Sequence, residues 1–230
     1  MPIPPHVSAA RARVAAMFLG QCHGIEIGAL DAPTPLSRGT RVRYVDFRPA
    51  DELAARYPEL DASTFVPIDV IDDAERLTTF GTACVDFIIA NQMLEHCENP
   101  LGTLRRHLAV VRPGGWLFYA VPDRRVTFDH RREVTRFEHL VADDRDGGEA
   151  SRHGHHLEWA TLVNGVVGKE AAEKFAQATL ASRYSIHFHV WDSSAWLDFL
   201  VRSRTYLQTA FEVRYFEFTG TEIVCVLRRE

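Results

Sequence analysis

The stretch Val85-Asp86-Phe87-Ile88-Ile89-Ala90 is almost entirely apolar, and a polar residue, Asn91, follows it. A run that is apolar on both alternating faces predicts a strand buried on both sides, which is typical of parallel sheets covered by helices. Residues 100–111 then show helical spacing of leucine and valine, and a Gly114-Gly115 turn precedes a second apolar run at 116–121. This alternation of strand, helix and strand predicts an α/β fold with a parallel sheet.

The same alternation extends toward the N-terminus. Short apolar runs predict strands at 25–27, 42–45 and 65–68, and apolar periodicity predicts helices at 8–20 and 51–57. We therefore predict a doubly wound, Rossmann-like sheet, in which ligands bind outside the carboxyl ends of the strands.

The C-terminal third of the chain adds helices and a hairpin. Helices are predicted at 170–181 and from Asp192 or Ser193 to about 203, and residues 186–190 have an extended pattern. Two runs at 211–218 and 222–227, separated by Thr219-Gly220-Thr221, predict a hairpin. The hairpin completes a seven-stranded, mostly parallel sheet whose last strand is antiparallel.

Length and composition allow one large domain or two small ones. The chain has 230 residues, of which 46% are hydrophobic and 25% charged, as in ordinary globular proteins. The strand pattern favours a single domain over 1–230. We divide it into a sheet half at 20–122, an insertion after the fifth strand at 123–190, and a C-terminal helix and hairpin at 191–230. The insertion holds seven of the eleven histidines.

Charge and cysteine usage exclude several classes of partner. The net charge of −5 argues against nucleic acid or an anionic membrane surface, and no apolar run is long enough for a membrane-spanning helix. We see no signal-peptide pattern, and the four cysteines lie far apart, which is typical of reduced thiols. We expect a cytoplasmic protein with a small-molecule partner, and its oligomeric state stays open.

Polar residues follow the predicted strands at the edge where ligands bind. Asp46, Asp69, Asn91 and Asp123 each come at or just after a strand, and Asp31 lies just past the first one. Because the carboxyl ends of parallel strands share one edge, these side chains predict a ligand site there.

Five motifs occur in a fixed order along the first half of the chain. They are Ile25-Glu26-Ile27-Gly28, Asp46, Val66-Pro67-Ile68-Asp69-Val70, the run from Val85 to His96 that ends in Leu94-Glu95-His96, and Arg112-Pro113-Gly114-Gly115-Trp116-Leu117. Their order and spacing resemble class I S-adenosylmethionine-dependent methyltransferases that act on small molecules. The resemblance covers about residues 20–122 and, less specifically, the C-terminal hairpin.

The resemblance implies S-adenosylmethionine as cofactor. A carboxylate at a strand end, Asp46, would accept hydrogen bonds from the ribose diol, and the Phe47 ring would lie against adenine. Asp69 would accept from the adenine amino group beside the Val70 backbone, and Glu26 and Gly28 would flank the amino-acid tail. The predicted cofactor-binding residues are Glu26, Gly28, Ala29, Asp46, Phe47, Asp69, Val70 and Asn91.

The loop after the first strand departs from the family's glycine-rich pattern. It reads Gly28-Ala29-Leu30-Asp31-Ala32-Pro33, and Pro33 and Pro35 block a normal helix start. The remaining residues are too few for a crossover helix, so we expect a differently built pocket for the cofactor's tail. The same change argues against a nicotinamide dinucleotide, whose pyrophosphate needs the glycines and a helix N-terminus.

His96 follows the fourth strand, close to the expected position of the methyl group. Because histidine titrates near neutral pH, we predict His96 as the general base. A purely structural hydrogen bond from His96 is the alternative, and Glu95 is a weaker candidate for the base. Predicted substrate-binding residues lie in and around the insertion: Asp123, Arg124, His139, His187 and His189. Four arginines there, Arg124, Arg125, Arg131 and Arg132, would suit a carboxylate or phosphate on the substrate.

The histidines of the insertion allow two interpretations. His153-x-His155-His156, Phe137-Glu138-His139 and His187-x-His189 offer metal ligands, but no local spacing matches a known zinc motif. Alternating positions such as His187 and His189 would face one side of a strand. We favour a polar lid over the substrate and predict no metal.

The predicted function is transfer of a methyl group from S-adenosylmethionine to a hydroxyl or amine of a small molecule. Two alternatives stay open at this point. One is a non-catalytic binding module that keeps the methyltransferase sheet, and the other is a metal-dependent enzyme centred on the histidines.

Overall fold

A seven-stranded sheet forms the centre of the computed structural model, which describes residues 5–230. The strands are β1 (His23–Ile27), β2 (Arg41–Asp46), β3 (Val70–Ile71), β4 (Val85–Asn91), β5 (Val111–Pro122), β6 (Phe211–Phe218) and β7 (Glu222–Arg229). Their spatial order is β3-β2-β1-β4-β5-β7-β6, and β7 runs antiparallel to both of its neighbours. The predicted fold class, including the antiparallel last strand, is confirmed. The strand order reverses between β1 and β4, which is where doubly wound sheets open a ligand cleft.

Seven α-helices within residues 5–230 surround the sheet. They are α1 (Pro5–Phe18), α2 (Ala50–Arg56), α3 (Pro100–Val110), α4 (Phe137–Asp146), α5 (Glu149–Glu158), α6 (Lys169–Ala181) and α7 (Ser193–Leu207). Asp192 caps the N-terminus of α7, where its side chain accepts a hydrogen bond from the Ala195 N–H at 2.9 Å. Among residues 5–230, no helix combines the length and the apolar character that crossing a membrane requires.

The apolar pattern of β4 reflects a core on each side of the sheet. Phe87 and Ile89 pack on one side with Val14 and Leu19 of the N-terminal helical segment. On the other side, Ile88 belongs to the larger core, which includes the α3 leucines and Trp191, Trp196 and Phe199. Because both faces are buried, alternation with polar residues is absent from this strand, as the sequence predicted.

Two predicted extended segments differ from the structure. The third strand lies at Val70–Ile71 rather than at 65–68, so the earlier prediction was wrong. Pro67 lacks an N–H for a strand ladder, and the Val66 N–H donates instead to the Leu30 carbonyl. Residues 186–190 form no strand; the N–H groups of Phe188 and His189 both donate to the Glu95 carbonyl.

The connection from β1 to β2 has no helix, as its length and prolines predicted. A turn closed by a hydrogen bond from the Ala32 N–H to the Ala29 carbonyl replaces the usual crossover. Gly28 has a φ of +66°, a conformation that favours glycine, and a Cβ there would have no other atom within 4 Å. The backbone at Gly28 is therefore open toward the cleft region.

A buried ion pair joins α1 to the start of β7. Arg11 donates from Nη2 and Nε to the two Glu222 carboxylate oxygens at 2.5 and 2.8 Å, and the two side chains are each 4% exposed. Gln92, just after β4, donates to the same carboxylate at 2.8 Å. The pair thereby fixes the N-terminal helix beside the carboxyl end of β4.

Replacing Arg11 by alanine is expected to lower the free energy of unfolding by about 3–5 kcal/mol, because Glu222 is left buried without a countercharge. The matched control is Arg13→Ala on the same helix, whose pair with Glu217 is solvent-exposed, so its loss should be much smaller. Urea denaturation of the two variants measures both values. Equal losses would contradict the contribution assigned to the buried pair.

Candidate active site

Three polar side chains meet where β1 and β4 lie side by side. The Glu26 Oε1 atom accepts hydrogen bonds from the Thr34 N–H at 2.9 Å and the Thr34 hydroxyl at 2.8 Å. The Asn91 amide donates to the same hydroxyl at 2.8 Å and lies 3.4 Å from Glu26 Oε1. Thr34, which the sequence analysis missed, therefore holds the two predicted residues together.

Two oxygens of this group have no partner within residues 5–230. Glu26 Oε2 and Asn91 Oδ1 are buried and accept no hydrogen bond from the described chain. Burial raises the pKa of Glu26, although the hydrogen bonds from Thr34 act in the opposite direction. Since buried acceptors without partners are costly, the pair fits a ligand group rich in N–H donors, such as the ammonium group of S-adenosylmethionine.

Asp46 ends β2 and is 5% exposed. Its Oδ1 atom accepts a hydrogen bond from the Phe47 N–H at 2.8 Å. Burial raises the pKa of Asp46 to about 6, and that one hydrogen bond offsets only part of the effect. The Phe47 ring is 46% exposed, so it presents an aromatic face at the same strand end.

Asp69 does not end a strand, because β3 begins after it. Its carboxylate accepts a hydrogen bond from the Tyr44 N–H at 2.8 Å and so supports the pairing of β3 with β2. Val70 is the first residue of β3. Its predicted position at a carboxyl strand end was therefore wrong. Asp72 follows β3 instead, and its carboxylate accepts hydrogen bonds from Asp73, Thr78 and Thr79. The roles predicted for Asp69 and Val70 in adenine binding stay predictions.

A second polar cluster follows β4, in the short helical turn Leu94–His96 and the segment after α6. Glu95, His96 and His187 each place a ligand-type atom within 4.8 Å of the others. His187 Nδ1 lies 2.6 Å from Asp129 Oδ2, and His96 Nδ1 lies 2.9 Å from the Ile186 carbonyl oxygen. Both contacts use the Nδ1 atom of the ring, so Nε2 of His187 is not engaged by Asp129 and Nε2 of His96 is not engaged by the Ile186 carbonyl.

Burial controls the charges of this cluster. Burial raises the pKa of Glu95 to about 7. The two carboxylate oxygens of Glu95 have no hydrogen-bond partner in the described chain. Desolvation is the main cause that lowers the pKa of His96 to about 3, and the nearby His187 adds to it. His96 is therefore neutral at pH 7. Burial alone would raise the pKa of Asp129, but His187 and the Arg132 guanidinium outweigh it and lower that pKa.

A third cluster joins α4, α5 and the segment after α6. His139 Nε2 lies 3.0 Å from His155 Nε2 and 3.2 Å from Asp143 Oδ2, and His189 Nε2 lies 3.5 Å from the same carboxylate oxygen. His187 and His189 were expected to share one face, but the structure places them in separate clusters. The segment is not a strand, so its side chains do not follow strand alternation.

The predicted substrate-binding residues at the start of the insertion have internal partners. Asp123 is fully buried and pairs with Arg125 at 2.6 Å, and Arg124 donates to the carbonyls of His130 and Arg132. Arg132 is buried and bonds to Asp129, Glu158 and two backbone carbonyls. These side chains hold the insertion together. The substrate contacts predicted for Asp123 and Arg124, and the anion-binding role predicted for the arginines, stay predictions.

Two acids, Asp129 and Asp143, were missed by the sequence analysis. Asp143 stands four residues after His139, so helical periodicity would have placed both on one face of α4. No local pattern connects Asp129 with His187, which lies 58 residues further along the chain.

Comparison with known proteins identifies the family. The family model for a methyltransferase domain matches residues 21–200, which is most of the chain. The chain belongs to the methyltransferase-domain family. The predicted resemblance to class I S-adenosylmethionine-dependent methyltransferases is thereby confirmed, and the family implies S-adenosylmethionine as cofactor. No curated protein matches this methyltransferase.

Solved structures share its fold at low sequence identity. An S-adenosylmethionine-dependent methyltransferase from Mesorhizobium loti is 12% identical with a TM-score of 0.52, and the match covers 96% of each chain. A chain of the complex between the Haloferax volcanii Trm112 methyltransferase activator and the putative methyltransferase is 14% identical with a TM-score of 0.54, covering 97% of this chain and 89% of that one. A Rhodobacter sphaeroides structure described as putative Zn-dependent alcohol dehydrogenases is 13% identical with a TM-score of 0.57, covering 99% and 90%. At these identities the likeness shows the fold alone.

Proposed function

We propose that this methyltransferase transfers the methyl group of S-adenosylmethionine to a hydroxyl or amine of a small molecule. The observation that carries the proposal is the Asp129–His187 pair, which lies beside Glu95 and His96 just after β4. A hydroxyl or ammonium acceptor must lose a proton when it is methylated, and a histidine oriented by a carboxylate is suited to take it.

The cofactor would be held at the carboxyl ends of β1, β2 and β4. The unpartnered Glu26 Oε2 and Asn91 Oδ1 would receive its ammonium group, and Asp46 would accept hydrogen bonds from its ribose diol. The exposed Phe47 ring would lie against adenine. Gly28 and Ala29 would line the tail pocket, where the absence of a side chain at Gly28 leaves space. Asp69 and Val70 remain the predicted adenine contacts.

When bound, S-adenosylmethionine would supply an electrophilic methyl group on its sulfonium, and the acceptor oxygen or nitrogen would take that group while the sulfur would leave as a neutral thioether. His187 would accept the acceptor's proton at Nε2. The hydrogen bond from Nδ1–H to Asp129 fixes this tautomer and stabilises the imidazolium that forms. His96 was the predicted base, and we now assign it the neighbouring position, where its neutral ring would orient the acceptor.

The insertion supports a small acceptor. Three arginines that would otherwise meet phosphates, Arg124, Arg125 and Arg132, bond to groups of the protein itself. The net charge of −5 also disfavours association with a polyanion. His139 and His189, predicted to bind substrate, lie in the third cluster, and their contact with substrate stays a prediction.

Two measurements test the proposal. Calorimetry with S-adenosylmethionine or S-adenosylhomocysteine should give micromolar binding, or about −8 kcal/mol. Incubation with methyl-labelled cofactor and fractionated cell extract should then place the label in the small-molecule fraction. No binding at millimolar cofactor would exclude the proposed cofactor site. Binding without transfer would favour a non-catalytic module, and label confined to protein or nucleic acid would overturn the proposed acceptor class.

A further inference from the structure

We propose that His139, Asp143, His155 and His189 form a zinc site that clamps the insertion. The site is independent of the proposed methyl transfer. One ligand-type atom from each of the four residues lies within 4.8 Å of the others. These four residues form the clamp cluster.

Three of the distances in the clamp cluster are close to those of tetrahedral coordination. Ligand atoms around zinc, with bonds of about 2.0–2.1 Å, stand about 3.3–3.4 Å apart. The separations are 3.0 Å between the His139 and His155 nitrogens, 3.2 Å from His139 Nε2 to Asp143 Oδ2, and 3.5 Å from His189 Nε2 to Asp143 Oδ2. Small adjustments of side chains would bring all three to the tetrahedral value.

Buried atoms in the clamp cluster lack hydrogen-bond partners within residues 5–230. Asp143 is 2% exposed and its Oδ2 atom makes no well-directed hydrogen bond, and the same holds for Nδ1 of the fully buried His189. Three imidazoles and a carboxylate packed this closely, around an Asp143 oxygen that has no hydrogen-bond partner in the described chain, fit a cation at their centre. The His139 side chain is 38% exposed, which provides an entry path for the ion.

A supporting contact orients the carboxylate. The Ser151 hydroxyl donates to Asp143 Oδ1 at 2.7 Å, so the other oxygen, Oδ2, faces the histidines. Such contacts around the ligands of a metal site fix ligand direction and raise metal affinity. At the turn between α4 and α5, Gly148 has a φ of +81°, and a Cβ there would come within 2.5 Å of the Glu98 carbonyl oxygen. Glycine thus allows the turn between α4 and α5 to pack closely against the backbone just before α3.

The choice of metal follows from the ligands. Three imidazoles and one carboxylate suit zinc, whereas magnesium and calcium prefer oxygen ligands throughout. Four protein ligands leave no open position, which is typical of structural zinc sites rather than catalytic ones. The ligands come from α4, α5 and the segment that also carries His187. The ion would therefore fasten that segment to the two helices.

The experiment uses the full chain purified without chelator. Elemental analysis is expected to find about one zinc ion per chain, and Co²⁺ exchanged into the site should give the intense visible absorption of a tetrahedral complex. Removing the metal should lower Tm by at least about 5 °C, and added Zn²⁺ should restore it. A wild-type protein that holds no metal and shows no saturable Zn²⁺ binding would overturn the proposal without any variant.

Variants then locate the ion. His155→Ala and Asp143→Asn should lose the zinc, and Ser151→Ala should weaken its affinity about 10–100-fold. The matched control, His153→Ala, removes an exposed histidine of the same helix that pairs with Glu173, and it should keep full occupancy. Zinc retained in both His155→Ala and Asp143→Asn, or lost instead from His96→Ala, would show that the clamp cluster is not the site.

Discussion

Asp46→Asn is expected to weaken S-adenosylmethionine binding about 100-fold while making the cofactor-free protein more stable at about pH 8. The affinity falls because the asparagine amide carries no negative charge and cannot accept two hydrogen bonds from the ribose diol as the carboxylate does. Calorimetric titration of the cofactor measures the loss. A dissociation constant unchanged from wild type would remove Asp46 from the cofactor site.

The gain in stability follows from the sign of the pKa shift. Burial raises the pKa of Asp46 to about 6 in the folded protein, above its value in the unfolded chain. The stabilisation by protonation is fully present below the unfolded pKa and is lost as the pH rises through about 6. Above that pH the wild type buries a charge that the asparagine does not, so the variant should gain about 1–3 kcal/mol at about pH 8 and almost nothing at about pH 4.

Urea denaturation at the two pH values measures this difference, and Asp51→Asn is the control. Asp51 is an exposed acid in the first turn of α2, five residues from Asp46, and its replacement should change neither the cofactor affinity nor the pH dependence of stability. A variant at Asp46 that loses stability at about pH 8 would contradict the assigned burial of its charge.

His187→Ala is expected to lower kcat by about 10²–10⁴-fold while the cofactor dissociation constant stays within about threefold of wild type. The alanine removes the proton acceptor, and no residue of the cofactor pocket changes. The rate is measured with the acceptor that the labelling experiment identifies. Zinc content must also match wild type, because His187 and His189 lie in the same segment.

Two further variants distinguish the histidines of the active site. His96→Ala should reduce kcat less than His187→Ala does, because only His187 is oriented by a carboxylate. His130→Ala, beside Asp129 but exposed, should leave the rate unchanged. If His96→Ala shows the larger loss, the base is His96, as its position after the fourth strand first suggested.

Much of the fold could be predicted from local patterns. The almost entirely apolar run of β4 indicated a strand buried on both faces, and the prolines after Gly28 excluded a crossover helix between β1 and β2. The third strand was misplaced because β3 has only two residues, and such a short element leaves no periodicity to detect. Its position depends on pairing with β2, which is a contact between distant parts of the chain.

For the candidate site, too, local patterns determined some features and tertiary contacts determined the others. Sequence alone determined the family, the strand-end acids Glu26 and Asp46 and the presence of many histidines, because these depend on motifs and periods within short stretches. Only the tertiary structure decided which histidine meets which acid. His187 meets Asp129 and His189 meets Asp143 although the two histidines are nearly adjacent, since the irregular segment that carries them packs against different elements at each position. Such partners are set by packing between remote segments, and no local spacing records them.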